Sequence, residues 1–295
     1  MQPSGNKASG PLCRLAVTIA LCGVLAMAPG VARSQDVDLE ALQAKVDRLS
    51  NQAHAERGRK VYFRACAPCH GLQGNGKGPA AKGFDPAPRN FRRGVYKFRT
   101  TVAGVLPLDK DLERTIREGV PGTEMPRWKD VLSDSDIAAV TQYIKTFSPY
   151  FEDPYSLPLP EDILVLPDSR PFAPSAASIA AGRRLFVDQD CADCHGTEGR
   201  GNGPQADDLV DDWETPIRPA DLTKPYFRNG KRDLDIYRVF TSALNGTPMP
   251  AFDDLTEEQR WQLVDYVQSL EREQGIFYWL FVDSPNQVRH PAAEN

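Results

Sequence analysis

The sequence predicts a largely helical protein of two domains that arose by duplication, and three observations carry that prediction. The chain has 295 residues, enough for two compact domains with a core each. It also repeats itself. GRKVYFRACAPCHGLQGNGKGP at Gly58–Pro79 returns as GRRLFVDQDCADCHGTEGRGNGP at Gly182–Pro204, and VPGTEMPRW around Met125 returns as LNGTPMPAF around Met249. Finally, the segments that open and close the copies carry apolar residues at helical spacing. The formal net charge of -5 gives no basic surplus for nucleic acid, and 25 prolines indicate much irregular backbone between the helices.

Taken in order, the chain opens with a segment expected to be removed. Lys7 and Arg14 precede an apolar run from Leu15 to Ala28, followed by APGVARS, the pattern of a secretory signal peptide over residues 1–34. Such a run is shorter than the roughly 18 to 20 residues that span a bilayer, so cleavage near Ala32 to Ser34 is expected over a retained anchor. Bulky Leu21 argues against a lipoprotein signal at Cys22. The expected location is the periplasm. Removal takes Cys13 and Cys22 with it, leaving Cys66, Cys69, Cys191 and Cys194, all in two CxxCH motifs, with Met125 and Met249 as the remaining methionines.

A first domain is expected over 35–148. It begins with a helix from Val37 to Arg64, interrupted at Gly58, that delivers Cys66, and closes with LSDSDIAAVTQYIKTF at Leu132–Phe147. A linker over 149–175 holds seven prolines around the short apolar stretch ILVL and is expected to lie extended across the domains. The second domain, 176–273, closes with LTEEQRWQLVDYVQSL at Leu255–Leu270. In both closing segments a Ser or Thr followed by acids supplies the N-terminal cap. The tail, 274–295, contains GIFYWLFV at Gly275–Val282. That run is too short to span a bilayer, and it reads as a segment packed over the core or as a docking patch.

CxxCH is the attachment signature of c-type haem. Two thiols three positions apart on a helical turn reach the two vinyl groups on one side of a porphyrin, and the next residue falls beside the iron. Cys66, Cys69, Cys191 and Cys194 are therefore the expected thioether residues of two covalent haem c groups, and His70 and His195 the expected proximal iron ligands. A redox dithiol or a zinc site are the alternatives for CxxC. Met125 lies 55 residues after His70 and Met249 lies 54 after His195, each behind a Gly-Thr turn and before a proline. Ordinary core packing is the alternative for a methionine, but equivalent placement in two repeats makes Met125 and Met249 the expected distal ligands. The other two histidines, His54 and His290, are expected on the surface.

With these motifs, the chain resembles class I c-type cytochromes over nearly all of Gly58–Leu270. The matching features are CAPCH and CADCH, the glycine after each, the proline nine residues past each histidine, and the GTxMP loops. The resemblance implies an all-α fold of two tandem cytochrome c domains, each a few helices around haem. It also implies that Pro79 and Pro204 mark the backbone that orients the proximal imidazole. RNFRRGVYKFRTT, RPADLTKPYFRNG and GTPMPAF are similar to dihaem cytochromes that accompany periplasmic molybdenum oxidoreductases and related respiratory complexes. That likeness implies redox proteins as donor and acceptor, with membrane association only through a partner.

His/Met ligation occupies both axial positions of each iron, which suits an electron carrier and not an enzyme. The alternative is a dihaem enzyme of the peroxidase or thiosulfate dehydrogenase type, in which one haem opens a coordination site. Charge is divided unevenly. Residues 34–150 hold 19 Lys and Arg against 14 Asp and Glu, and residues 151–295 hold 13 against 26. Arg89, Arg92, Arg93, Lys97 and Arg99 form a basic run, and Asp207, Asp208, Asp211, Asp212 and Glu214 an acidic one. Either these are solvated faces, or each run steers a different partner of opposite charge.

Overall fold

The computed structural model describes residues 39–272. The segment expected to be a signal peptide, GIFYWLFV and His290 lie outside them. Residues 46–295 cluster as one unit and residues 1–45 as another; of the latter, only the first turns of the helix opening at Leu39 are described. Among the described residues there is no β-strand beyond two isolated bridges, Thr101 with Ile163 and Val210 with Pro216, so the fold is all-α. No described helix is long and apolar enough to cross a membrane.

In the first half, α1 (Leu39–Val61) passes through a π-helical turn, Tyr62–Cys66, into the short α2 (Ala67–His70). α3 (Asp109–Glu118) and α4 (Asp134–Lys145) complete this half. Gly58 does not interrupt α1. It is where α1 crosses α4, and a Cβ there would sit 2.2 Å from the Ala139 carbonyl oxygen. The second half repeats the plan with α5 (Ala176–Asp188), α6 (Cys191–His195), α7 (Asp233–Ser242) and α8 (Glu257–Arg272). Its crossing glycine is Gly182, whose Cβ would lie 1.9 Å from the Gln262 carbonyl oxygen. Any side chain at either position forces the crossing helices apart, which is why glycine stands mid-helix despite its entropic cost.

The closing helices start as the caps dictate. Ser133 Oγ accepts from Asp136 N at 3.2 Å, and Asp136 in turn accepts from Ser133 N. Thr256 and Gln259 exchange the same pair of bonds ahead of α8. Each half has its own core. Tyr62, Ile137 and Val140 are fully buried in the first, and Trp261, Leu263 and Val264 in the second.

The proline-rich segment divides its contacts between the halves. Near the bridge at Ile163, Leu164 N donates to Thr100 O at 3.0 Å and Val102 N to Asp162 O at 2.9 Å, on the first half. Further on, Arg170 pairs with Asp233 at 2.9 Å and with buried Asp265, and its guanidinium lies 5.2 Å from the Trp261 ring centroid, on the second.

The halves also touch each other directly. Arg114 of α3 donates to Asp235 of α7 at 2.8 Å and to the Asn229 carbonyl at 2.7 Å. Asn245 accepts from Gly104 N at 2.9 Å.

Candidate functional site

The second CxxCH fills α6, and the first runs from Cys66, the last residue of the π turn, through α2; each is held against the core by what precedes it. The run from the crossing glycine to the first cysteine is one residue longer in the second copy, and the backbone absorbs this differently. The first copy runs on through the π turn, whereas in the second α5 stops and Asp190 takes a left-handed conformation, φ 55°, before Cys191. All four cysteines are free, with Cys66 and Cys191 buried. Burial pushes the thiols of Cys66 and Cys191 up to about 12. A redox dithiol needs a thiol with a depressed pKa, so that alternative has no support. Nor do three or more His, Cys, Asp or Glu side chains gather into a metal-binding group among the described residues, which leaves a zinc site without donors.

The two candidate imidazoles are held alike. His70 Nδ1 lies 3.0 Å from the Arg89 carbonyl oxygen and His195 Nδ1 lies 2.9 Å from that of Ala220. A carbonyl can only accept, so Nδ1 carries the proton in each case and Nε2 keeps its lone pair for a metal. Burial lowers both pKa values, which keeps the rings neutral. His70 also stacks on Phe91 at 4.4 Å.

The orienting carbonyls are not at Pro79 and Pro204, where the resemblance placed them. Pro79 instead begins a short 3-10 turn, Pro79–Ala81. The segments that do this work are Pro88-Arg89-Asn90-Phe91 and Pro219-Ala220-Asp221-Leu222. They are laid beside the glycine turns by Phe91 N donating to Gly74 O and Leu222 N to Gly199 O, both at 2.7 Å. The signal was the repeated Pro-x-Asn/Asp-apolar pattern, obscured because its distance from the histidine is 19 residues in one copy and 25 in the other.

The methionine loops are near copies. Val120 N donates to Met125 O at 3.0 Å and Leu244 N to Met249 O at 3.2 Å. Thr123 Oγ1 donates to Val120 O and accepts from Met125 N, and Thr247 Oγ1 does the same with Leu244 O and Met249 N. Gly122 and Gly246, with φ of 73° and 78°, allow the turn. Both loops lie at the boundary between the halves. A Cβ on Gly122 would come within 2.3 Å of the Tyr226 ring, and one on Gly246 within 3.1 Å of Val95 and of Trp213.

Several buried donors have no protein partner: Arg99 Nε and Nη1, Tyr96 Oη and Trp128 Nε1 in the first half, and Trp261 Nε1 in the second. Arg99 is 0% exposed. Buried donors left unpaired cost about 1–3 kcal/mol each, so this set fits a bound group that brings its own acceptors. A porphyrin with two carboxylates is such a group. His54 is half-buried on α1.

Comparison with known proteins finds a cytochrome family over each half. Residues 53–144 match the family model described as cytochrome C oxidase, cbb3-type, subunit III, and residues 179–271 match that of cytochrome c. The cbb3-type cytochrome c oxidase subunit FixP of Azorhizobium caulinodans is 28% identical over 178 residues, 58% of this chain and 47% of that protein. The chain thus spans about half the length of that curated relative. A solved chain of the Kuenenia stuttgartiensis reducing HAO-like protein complex Kustc0457/Kustc0458 is 43% identical with a TM-score of 0.67, covering 73% of this chain and 96% of that one. The chain belongs to the dihaem c-type cytochromes. It carries two tandem cytochrome c domains and binds two haem c groups covalently.

Proposed function

We propose that this protein is a periplasmic electron carrier that passes single electrons between two redox proteins through both of its haems, and that it is not itself an enzyme. The domains extend over 35–148 and 176–273, joined by the 149–175 linker. Cys66 and Cys69 hold one haem and Cys191 and Cys194 the other. His70 and His195 would each supply a nitrogen to iron, and Met125 and Met249 a sulfur. When bound, the haem supplies the reversible one-electron couple. The protein's own part is to orient each imidazole through a carbonyl, exclude water with the two cores, and present each thioether from a rigid turn.

The observation that carries the relay reading is that both methionine loops abut the opposite half, Gly122 at Tyr226 and Gly246 at Val95. That arrangement suits a hop from one site to the other. Similarity to a chain of the Kuenenia reducing HAO-like protein complex supports a partner that assembles with this chain as in that complex, and it does not speak for a molybdenum oxidoreductase.

Optical spectra of the purified holoprotein test the reading. A thioether-to-iron band accounting for both irons, with no change on adding carbon monoxide to the reduced protein, is the expected result. High-spin iron or carbon monoxide binding in the unmodified protein would instead favour the dihaem enzyme.

A further inference from the structure

The basic and acidic runs, which the sequence offers as solvated faces or as faces for two different partners, touch at one point. The Trp213 ring lies inside the acidic run, and two guanidiniums of the first half close on it: Arg93 at 4.9 Å and Arg89 at 5.5 Å from the ring centroid. Asp211 acts electrostatically on Arg89 and on Lys97 of the same basic run. Arg99, also of that run, is fully buried. The loop that delivers Trp213 belongs to the extra stretch of the second copy, whose histidine lies 25 residues from its orienting carbonyl against 19 in the first. One copy orients its imidazole without that extra stretch.

The contacts of Trp213 join the two sites. The same Arg89 whose side chain covers the ring offers its carbonyl to His70 Nδ1. The other side of the contact is the Met249 loop. The Trp213 ring lies beside Gly246, and Asp212 N donates to Gly246 O at 3.3 Å. We propose that Trp213, clasped by Arg89 and Arg93, is a positioning residue that ties the carbonyl orienting His70 to the loop bearing Met249, so that the two redox sites are held and tuned together. The inference rests on the ligand assignment proposed above. A cation held over an aromatic face is a directional contact that survives partial exposure. Here it spans the two halves.

The test uses the full holoprotein and the variants Trp213→Leu, Trp213→Phe and Arg93→Gln. Two readouts apply: the two midpoint potentials, and amide hydrogen exchange at residues 89–93 and 244–249. In Trp213→Leu one midpoint potential should rise, because a looser hydrogen bond from His70 makes the ring a poorer donor to oxidised iron. Exchange should quicken roughly tenfold at both segments, which lie on opposite sides of the contact. Trp213→Phe, which keeps an aromatic face, should restore both, and Arg93→Gln should show the same effects more weakly. Should Trp213→Leu fail to fold, Arg93→Gln carries the test, since Arg93 is exposed. Unchanged potentials with exchange altered only around 211–216, or a phenylalanine variant as perturbed as the leucine one, would overturn the proposal. The thioether band of the unmodified protein, recorded first, reports separately on the ligand assignment.

Discussion

Asp235 is 2% exposed and stands at the junction of the halves. Its carboxylate accepts from Arg114 at 2.8 Å across the junction, from Arg232 Nε at 2.9 Å and from Arg238 at 3.2 Å within its own half. Arg232 is 75% exposed, so its pair contributes little, whereas Arg114 and Arg238 are 23% and 13% exposed. Asp235→Asn keeps the shape and removes the charge, leaving two largely buried guanidiniums facing each other without a counter-ion. Charge-assisted hydrogen bonds are worth about 1.5–3 kcal/mol each, and removing one member of a buried pair costs about 3–5 kcal/mol. A loss of about 3–5 kcal/mol in urea unfolding of the holoprotein is therefore expected. Burial pushes this carboxyl up, but the Arg232 hydrogen bond and the charges of Arg114, Arg232 and Arg238 outweigh it and hold it below its ordinary value. Its stabilisation is complete above the unfolded carboxylate pKa of about 3.9 and is lost as pH falls through the lower folded value. The asparagine variant should accordingly lack that part of the acid dependence. A loss under about 1 kcal/mol, or an acid limb unchanged in the variant, would refute the reasoning.

Three further outcomes are expected. Gly182→Ala should lower stability by about 1–2 kcal/mol in the same assay, because overpacking the α5–α8 crossing outweighs the helix propensity gained; a stabilised variant would mean the helices can part freely. Ala243 holds φ 61° where the first copy has Gly119 at 67°, so Ala243→Gly should gain about 1 kcal/mol by relieving a conformation that suits glycine, and a loss would count against strain there. Met125→Ala and Met249→Ala should each remove half of the thioether band and let one reduced haem bind carbon monoxide; a variant with the full band would exclude that methionine as a ligand.

The sequence by itself determined the helical class, the two cytochrome c domains with their covalent haem c groups, and the capped closing helices. Each of these is written in short-range chemistry: a fixed Cys-x-x-Cys-His spacing, a Ser or Thr three residues ahead of its capping partner, and apolar residues at helical period. The equivalence of the Met125 and Met249 loops was legible because two copies can be laid side by side. The tertiary structure alone decided what depends on segments far apart in the chain. Gly58 reads as a helix breaker in isolation, yet it is a crossing point, because the Ala139 backbone comes within reach only after folding. The carbonyls that orient His70 and His195 belong to Arg89 and Ala220, since the Pro-x-Asn/Asp-apolar pattern around these backbone acceptors is hidden by a loop of altered length. The basic and acidic runs read as surfaces for outside partners. Packing brings Trp213 and Asp211 of the acidic run to Arg89, Arg93 and Lys97 of the basic one, because a charge pattern along a chain records sign but not direction, and direction is set on folding.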